Sequence, residues 1–322
     1  MSLKMLQITA PISAEANIKA ISTSHECVIS YHKGVALDED HALFFLLTRS
    51  GDRQKAIDAL QQLLSLSSKA RISILPVETT LPHVEQEGTA DTREELFQKM
   101  GQGARLDMNF MILTFLSTIV ALIGLMQNNV AVVIGAMVIA PLLGPNLAFA
   151  FGTSLGNKEM MTQSFVTAFS GISLAVAVSA LIGFVWPELP DSWELMSRTE
   201  VGLGGIALAA ASGVAGVLSL TSGLSMTLVG VMVAVALLPP AATFGFMLGQ
   251  GELKLAYGAL LLLVVNVVCV NLSGLLVFLA KGIQPRLWFE RRMATPYVLG
   301  GIALWTVLLA ILMFVIAFRP AG

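Results

Sequence analysis

Charge is scarce in this chain. Only 12% of its 322 residues are Asp, Glu, Lys or Arg, against about a quarter in soluble domains. Hydrophobic residues make up 55% and the mean hydropathy is +0.78, which excludes an ordinary soluble protein. The net charge of −2 offers no basic field for nucleic acid, so no nucleic-acid partner is expected. There are two cysteines, Cys27 and Cys269, in very different segments. They argue against a disulfide and lack metal-ligand spacing; Cys269 reads as a small buried hydrophobe. His25, His32, His41 and His83 are scattered before the apolar part and read as surface or structural residues, so no metal site is expected. No Asp, Glu, Lys, Arg or His falls in the middle of a long apolar run; Glu159, Glu200 and Glu252 stand at edges. A carboxylate proton relay is therefore unsupported. Phosphate-binding, zinc and dinucleotide motifs are missing. With no catalytic constellation, the chain is not read as an enzyme, and its cofactors are unknown. The first residues lack a basic stretch followed by an apolar one, so no cleaved leader is expected.

What the chain has instead is a series of seven apolar segments: about Asn109–Met126, Val130–Leu155, Thr162–Trp186, Val201–Leu220, Met226–Leu248, Leu253–Ala280 and Tyr297–Phe318. Each approaches the roughly 20 residues needed to cross hydrocarbon. The fourth, rich in Gly and weakly hydrophobic, is also compatible with a partly re-entrant segment; its Gly205, Ala209, Gly213 and Gly216 form a small-xxx-small face for close helix packing. The fold class expected is a polytopic α-helical membrane protein of about seven spans behind an N-terminal α+β domain. Residues 1–85 form that domain, 86–108 a linker and juxtamembrane helix, 109–186 and 201–280 two groups of spans. Residues 187–200 are an acidic extracytoplasmic loop, and 281–322 a basic loop and last span.

In the first 85 residues, Leu3–Thr9 alternates and reads as a strand, Ala14–Ser24 as a short helix, and Cys27–His32 and His41–Thr48 as strands. Asp52–Leu66 is amphipathic, with Ile57, Leu60, Leu63 and Leu64 at helical spacing and Ser50 or Asp52 as cap. Arg71–Val77 is a last strand. The βαββαβ order is a ferredoxin-like pattern. Polar residues 83–92 form a linker. Thr92-Arg93-Glu94-Glu95 then has the spacing of a capping box, opening a helix marked by Leu96, Met100 and Leu106 that connects to the first span.

Basic residues near the span ends set the orientation. With the N-terminal domain inside, Lys99, Arg105, Lys158, Lys281, Arg286, Arg291 and Arg292 share its side, against Arg198, Lys254 and Arg319. This favours a cytoplasmic N-terminus.

Gly135–Asn146 and Gly230–Ala241 interrupt apolar segments with paired prolines: Pro141 and Pro145 in one, Pro239 and Pro240 in the other. A broken helix survives in lipid only where protein or a water-filled cavity covers the freed backbone. At an offset of 95 residues, Gly135/Gly230, Met137/Met232, Leu142/Leu237, Pro145/Pro240, Phe149/Phe244, Phe151/Phe246 and Gly156/Gly251 are identities. The chain thus reads as an inverted 3+3 repeat, segments one to three and four to six, with two proline-broken helices. Three crossings per copy reverse the second relative to the first. Such halves place sites near the midplane of secondary transporters.

The candidate pathway residues follow: Asn128 and Asn129 in the first hairpin, Pro141, Pro145 and Asn146 at one break, Pro239, Pro240 and Thr243 at the other, and Asn266 and Asn271 in the sixth span. Ser117 and Ser212 match at the same offset. Polar groups in lipid need partners. They serve either a polar path or interhelical bonding, the commoner use; Asn146 is assigned to function because it sits at the break.

The run from Asn128 to Pro145, above all Gly135-Ala136-Met137-Val138-Ile139-Ala140-Pro141-Leu142-Leu143-Gly144-Pro145, resembles the signature of a bacterial and archaeal hydrophobic family catalogued as domain of unknown function 389. The likeness covers roughly residues 105–280. It implies a location in a prokaryotic inner (plasma) membrane and no particular activity. The expectation is a transporter or channel for an unidentified ion or small solute, regulated by the N-terminal domain, with the lipid bilayer and a second copy (a homo-oligomer) as partners. The other reading is a sensor or scaffold whose spans anchor and oligomerise.

Overall fold

A computed structural model describes residues 3–49, 53–65, 67, 69–77, 80, 92–221, 226–283, 285 and 288–318, with backbone alone at 93, 203, 226–236 and 288–293. The chain divides into two units at Leu96/Phe97.

The first unit holds β1 (Leu3–Pro11), α1 (Glu15–Ser24), β2 (Val28–Ala36), β3 (His41–Thr48), α2 (Arg53–Leu64) and β4 (Arg71–Val77). The four strands form one antiparallel sheet in the order β2-β3-β1-β4. Alternation in β1 puts Leu6, Ile8 and Ala10 on one face. Register pairs Leu6 with Leu46 and Ile74, and Ile8 with Phe44 and Ile72. Ile18, Ile57 and Leu60 close the core from α1 and α2. Each such fully buried aliphatic contributes ~1.5–3 kcal/mol. The caps proposed at Ser50 and Asp52, and the linker before Thr92, lie outside the described residues.

A further helix, α3 (Arg93–Gly103), opens with the expected capping box. The Thr92 amide donates to Glu95 Oε2 at 3.0 Å, and the Glu95 amide donates back to Thr92 Oγ1 at 3.3 Å. Lys4 of β1 donates its ammonium to Glu95 Oε1. Burial pushes the Glu95 carboxyl up, but the Lys4 and Thr92 hydrogen bonds outweigh it and hold the group below the usual carboxylate range.

The second unit is helical: α4 (Met108–Met126), α5 (Val130–Ile139), α6 (Leu143–Leu155), α7 (Lys158–Val185), α8 (Trp193–Ser197), α9 (Leu203–Thr221), α10 (Met226–Gln250), α11 (Leu253–Ala280) and α12 (Trp288–Ala317). Among the described residues five helices are long and apolar enough to cross a membrane. They become six when α5 and α6, bent by 53° at a short break, count as one span. The fourth apolar segment is one of the five, a continuous helix. The count leaves out α10, whose N-terminal side chains are not described.

One proline break forms and the other does not. Before Pro141, Ala140 leaves the helix at φ −66°, ψ 121°, because a proline ring disfavours helical backbone in the residue preceding it. Gly144 and Pro145 then fall in the first turn of α6, where backbone donors have no intrahelical acceptor. The expected second broken helix is instead continuous: α10 carries Pro239 and Pro240 in its interior. The position matching Pro141 is Ala236, which keeps its N–H and imposes no stop.

Helix bounds otherwise recur. α4 and α9 are each 19 residues, α7 and α11 each 28, and the later helix of each pair starts and ends 95 residues after the earlier. The intervening turns match too. Gly156 and Gly251 both take positive φ, 66° and 82°. After them Asn157 donates to Gly152 O at 2.9 Å and Glu252 to Met247 O at 3.0 Å.

α7 and α10 pack closely through glycine. A Cβ on Gly183 would stand 2.3 Å from Phe246 O, one on Gly245 2.3 Å from Val176 O, and one on Gly249 2.1 Å from Ala180 O. The matched steps, 176 to 245 and 180 to 249, make the two helices parallel. α12 lies at the margin: of its described side chains only Ala294 and Leu312 are buried.

Candidate functional site

The first break exposes Asn146 on α6 to Asn271 on α11. Asn271 Nδ2 donates to Asn146 Oδ1 at 3.2 Å and to Val267 O at 2.9 Å; Asn146 Nδ2 donates to Leu142 O at 2.9 Å. Both residues are buried, at 3% and 2% exposure. Asn271 Oδ1 has no partner. In a low-dielectric interior such an acceptor costs about 1–3 kcal/mol, so it marks a place where something else is wanted.

The amide pair lines a pocket of about 170 Å³ with Phe149, Phe165, Phe169 and Trp305. Among the described residues lining it, none is ionisable. The wall it presents is aromatic and apolar, and Asn271 Oδ1 itself is sealed from it.

Asn266 looks elsewhere. Five residues before Asn271, it sits on another face of α11 and shares a cavity of about 50 Å³ with Arg198, Ser212 and Pro240. Arg198 Nη2 is 3.3 Å from Glu194 Oε2, and its buried Nε has no partner. The ten candidate residues therefore do not share one cavity. Asn146 and Asn271 meet, and Pro240 and Asn266 meet. Pro145 and Pro239 are buried in their helices, Pro141 is half-buried at the bend, and Thr243 is fully buried with its Oγ1 unpartnered.

Asn128 and Asn129 have structural work at the α4–α5 hairpin. Asn128 takes φ 55° and accepts from the Glu194 amide of α8 at 3.0 Å. Asn129 caps α5 by accepting from the Val132 amide at 3.2 Å. Ser192, which caps α8, donates to Leu125 O on α4. Ser117 and Ser212 each bond back to their own helix, to Thr114 O at 3.0 Å and Leu208 O at 2.8 Å.

Sequence reading missed a larger polar cavity of about 520 Å³. It is lined by Gln98, Gln102 and Arg105 after the start of α3 and by Asn157, Glu159 and Gln163 at the start of α7. Gln98 and Gln102, four residues apart, share one side of the helix read as a connector, and Arg105 follows just past its end. That spacing was the available signal. Among the described residues no cluster of three His, Cys, Asp or Glu could hold a metal.

Comparison with known proteins places this architecture. Residues 137–272 match the family model described as "Domain of unknown function (DUF389)". The chain is 34% identical over 277 residues to the Uncharacterized protein MJ0678 of Methanocaldococcus jannaschii, covering 84% of this chain and 86% of that protein. No solved structure matches.

Proposed function

This chain is a multi-span membrane protein that belongs to the DUF389 family, and we propose that it is a transporter or channel for a small solute or ion. The observation that carries the reading is the buried Asn146–Asn271 pair at the 53° break between α5 and α6. Irregular backbone at membrane depth is retained where it serves a cavity, and discontinuous helices with polar groups are how many transporters build sites.

The membrane part is read as seven spans, α4, α5–α6, α7, α9, α10, α11 and α12, the first six forming an inverted repeat. Contacts support this reading as well as helix bounds. Gly183 of α7 meets Phe246 of α10; the residues 95 later and 95 earlier, Phe278 of α11 and Phe151 of α6, stack edge-on at 5.3 Å. A Cβ on Gly245 would stand 2.9 Å from the Ser179 Cβ, and one on Gly274, the counterpart of Ser179, would stand 3.4 Å from the Cβ of Ala150, the counterpart of Gly245. Such exchanged contacts are what an inverted repeat would produce, and they support the reading. The amide pair breaks the symmetry, since Ala241 and Val176 occupy the corresponding places.

The N-terminal unit, with its β2-β3-β1-β4 order, suits a ferredoxin-like regulatory domain on the cytoplasmic side, and catalysis is not part of the reading. In purified protein reconstituted in liposomes, Asn146→Ala should lower flux at least tenfold while the thermal midpoint shows a folded protein. Unchanged flux in that variant would sink the proposal. The second reading, a sensor or scaffold that assembles with copies of itself, is favoured by the small cavities at the prolines, about 170 and 50 Å³. It predicts no flux above protein-free liposomes.

A further inference from the structure

We propose that the polar cavity of about 520 Å³ between the end of α3 and the start of α7 binds one phospholipid headgroup, of the zwitterionic kind that joins a phosphate to a primary ammonium. The site stands apart from the amide pair and does not depend on the transport reading.

The walls of the cavity are fixed. Thr167 Oγ1 of α7 donates to Ala104 O at 2.7 Å, and a Cβ on Gly103 would stand 3.1 Å from Gly144 Cα of α6. Asn157 Oδ1 accepts from the Met160 amide at 2.9 Å and caps α7. Gln98, Gln102 and Arg105 line one wall, and Glu159 and Gln163 the other. Among the described residues no hydrogen bond or ion pair engages any of these five side chains, and Arg105 does not pair with Glu159. Three amides, one guanidinium and one carboxylate thus converge, with their bonding unused, on a space of ligand size.

Helix lengths give the depth. α7 has 28 residues and is about 42 Å long, against about 30 Å of hydrocarbon. Its last turns are apolar up to Trp186, whereas Lys158, Glu159 and Gln163 stand in its first two. The surplus length therefore falls at the N-terminal end, in the headgroup layer. α4 agrees, since its span begins at Met108, shortly after Arg105. Leu106 and Met108 are 45% and 75% exposed, which puts apolar surface for acyl chains beside the guanidinium. A polar cavity at this depth opens on lipid headgroups.

Charge selects the headgroup. A planar guanidinium binds phosphate oxygens in pairs. Glu159 and the amide oxygens accept, and a primary ammonium carries three N–H donors for them. A choline headgroup has no N–H donor to offer. An anionic headgroup without an amine sets its charge near Glu159 and leaves that carboxylate unmatched. Lys158 is outside the lining and sits over the Tyr297 ring at 5.4 Å.

The test is native mass spectrometry of the delipidated full chain in detergent, titrated with dioleoyl phosphatidylethanolamine, phosphatidylcholine and phosphatidylglycerol. The first copy of the ethanolamine lipid should bind at least tenfold more tightly than either of the others, ~1.4 kcal/mol. Arg105→Gln should weaken it at least tenfold, and Glu159→Gln should erase its preference over the glycerol lipid. Lys158→Gln, outside the lining, should leave the ranking unchanged. All three side chains are exposed, so the fold is retained, and an unchanged thermal midpoint checks this. Water-soluble glycerophosphoethanolamine has the same headgroup without chains and should compete at least tenfold more weakly, because the chains add apolar burial. Competition as strong as the lipid's assigns the cavity to a dissolved zwitterion and overturns the proposal. Equal affinity for the three lipids, a preference for the glycerol lipid, a ranking that survives both Arg105→Gln and Glu159→Gln, or a loss in Lys158→Gln equal to that in Arg105→Gln overturns it as well.

Discussion

Asn271 of α11 and Asn146 of α6 share a hydrogen bond across 125 residues of sequence, and the bond exists because Pro141 bends the chain between α5 and α6. Asn146 lies on the first turn of α6, so its position depends on where that helix begins. Each single variant leaves one buried acceptor unpaired: Asn146→Ala keeps Asn271 Oδ1 without a donor, and Asn271→Ala removes that oxygen but strips Asn146 Oδ1 of its donor. Each should therefore lose about the shared hydrogen bond, about 0.5–1.5 kcal/mol, and a double-mutant cycle in chemical unfolding should show coupling. Additive effects would mean the two amides do not interact.

Pro141→Ala should straighten the first break. The substitution restores a backbone donor and frees Ala140 to become helical, making the segment like α10. Spin labels at exposed Ile134 and exposed Glu159, before and after the 53° bend, should move apart in pulsed dipolar measurements. Pro239→Ala lies inside a helix already continuous, and an equivalent label pair across it should hardly move.

The two matched turns should differ in tolerance. Gly156 and Gly251 both have positive φ, a conformation that costs an L-residue about 1–2 kcal/mol. At Gly251 the space for a Cβ is open; at Gly156 it would stand 2.7 Å from the Ala294 backbone of α12. Gly251→Ala should thus cost about the backbone term alone, and Gly156→Ala distinctly more. Thermal unfolding in detergent, with the two variants side by side, reads the gap.

Local signals were legible in the sequence and relative placement was not. Alternation in Leu3–Thr9, the Thr92–Glu95 spacing and the apolar runs are periodic within a few residues, and each gave the observed element. The proline pairs looked equivalent, but the helix breaks only before Pro141; α10 runs on through Pro239 and Pro240, and its residue matching Pro141 is Ala236. The Asn266–Asn271 spacing of five residues already separates them on a helix by about 140°, so their different cavities could have been read. The partner of Asn146 could not: nothing within a few residues of position 146 points to position 271. Likewise Gly183, Gly245 and Gly249 read as plain span glycines until the α7–α10 crossing shows what each one admits.

Acid should loosen the N-terminal unit through Glu95. Its folded-state carboxyl is held below its unfolded value of about 4.3, because the Lys4 and Thr92 hydrogen bonds outweigh burial. A depressed carboxylate contributes stability that is complete above the unfolded value and is lost as pH falls through the folded one. The pair is partly shielded, with side-chain exposures of 9% for Lys4 and 18% for Glu95, so screening by water is limited. Lys4 is also a β1 residue paired with Thr48 and Pro76, which ties the start of α3 to the centre of the sheet. Hydrogen exchange of the β1 amides in the full chain should therefore speed up as pH drops below about 4.3, after correction for the intrinsic rate. In Glu95→Gln the protection should be lower at neutral pH, by about 1–2 kcal/mol, and that acid-dependent step should vanish. If the step persists in the variant, another carboxylate governs it and Glu95 is not the latch.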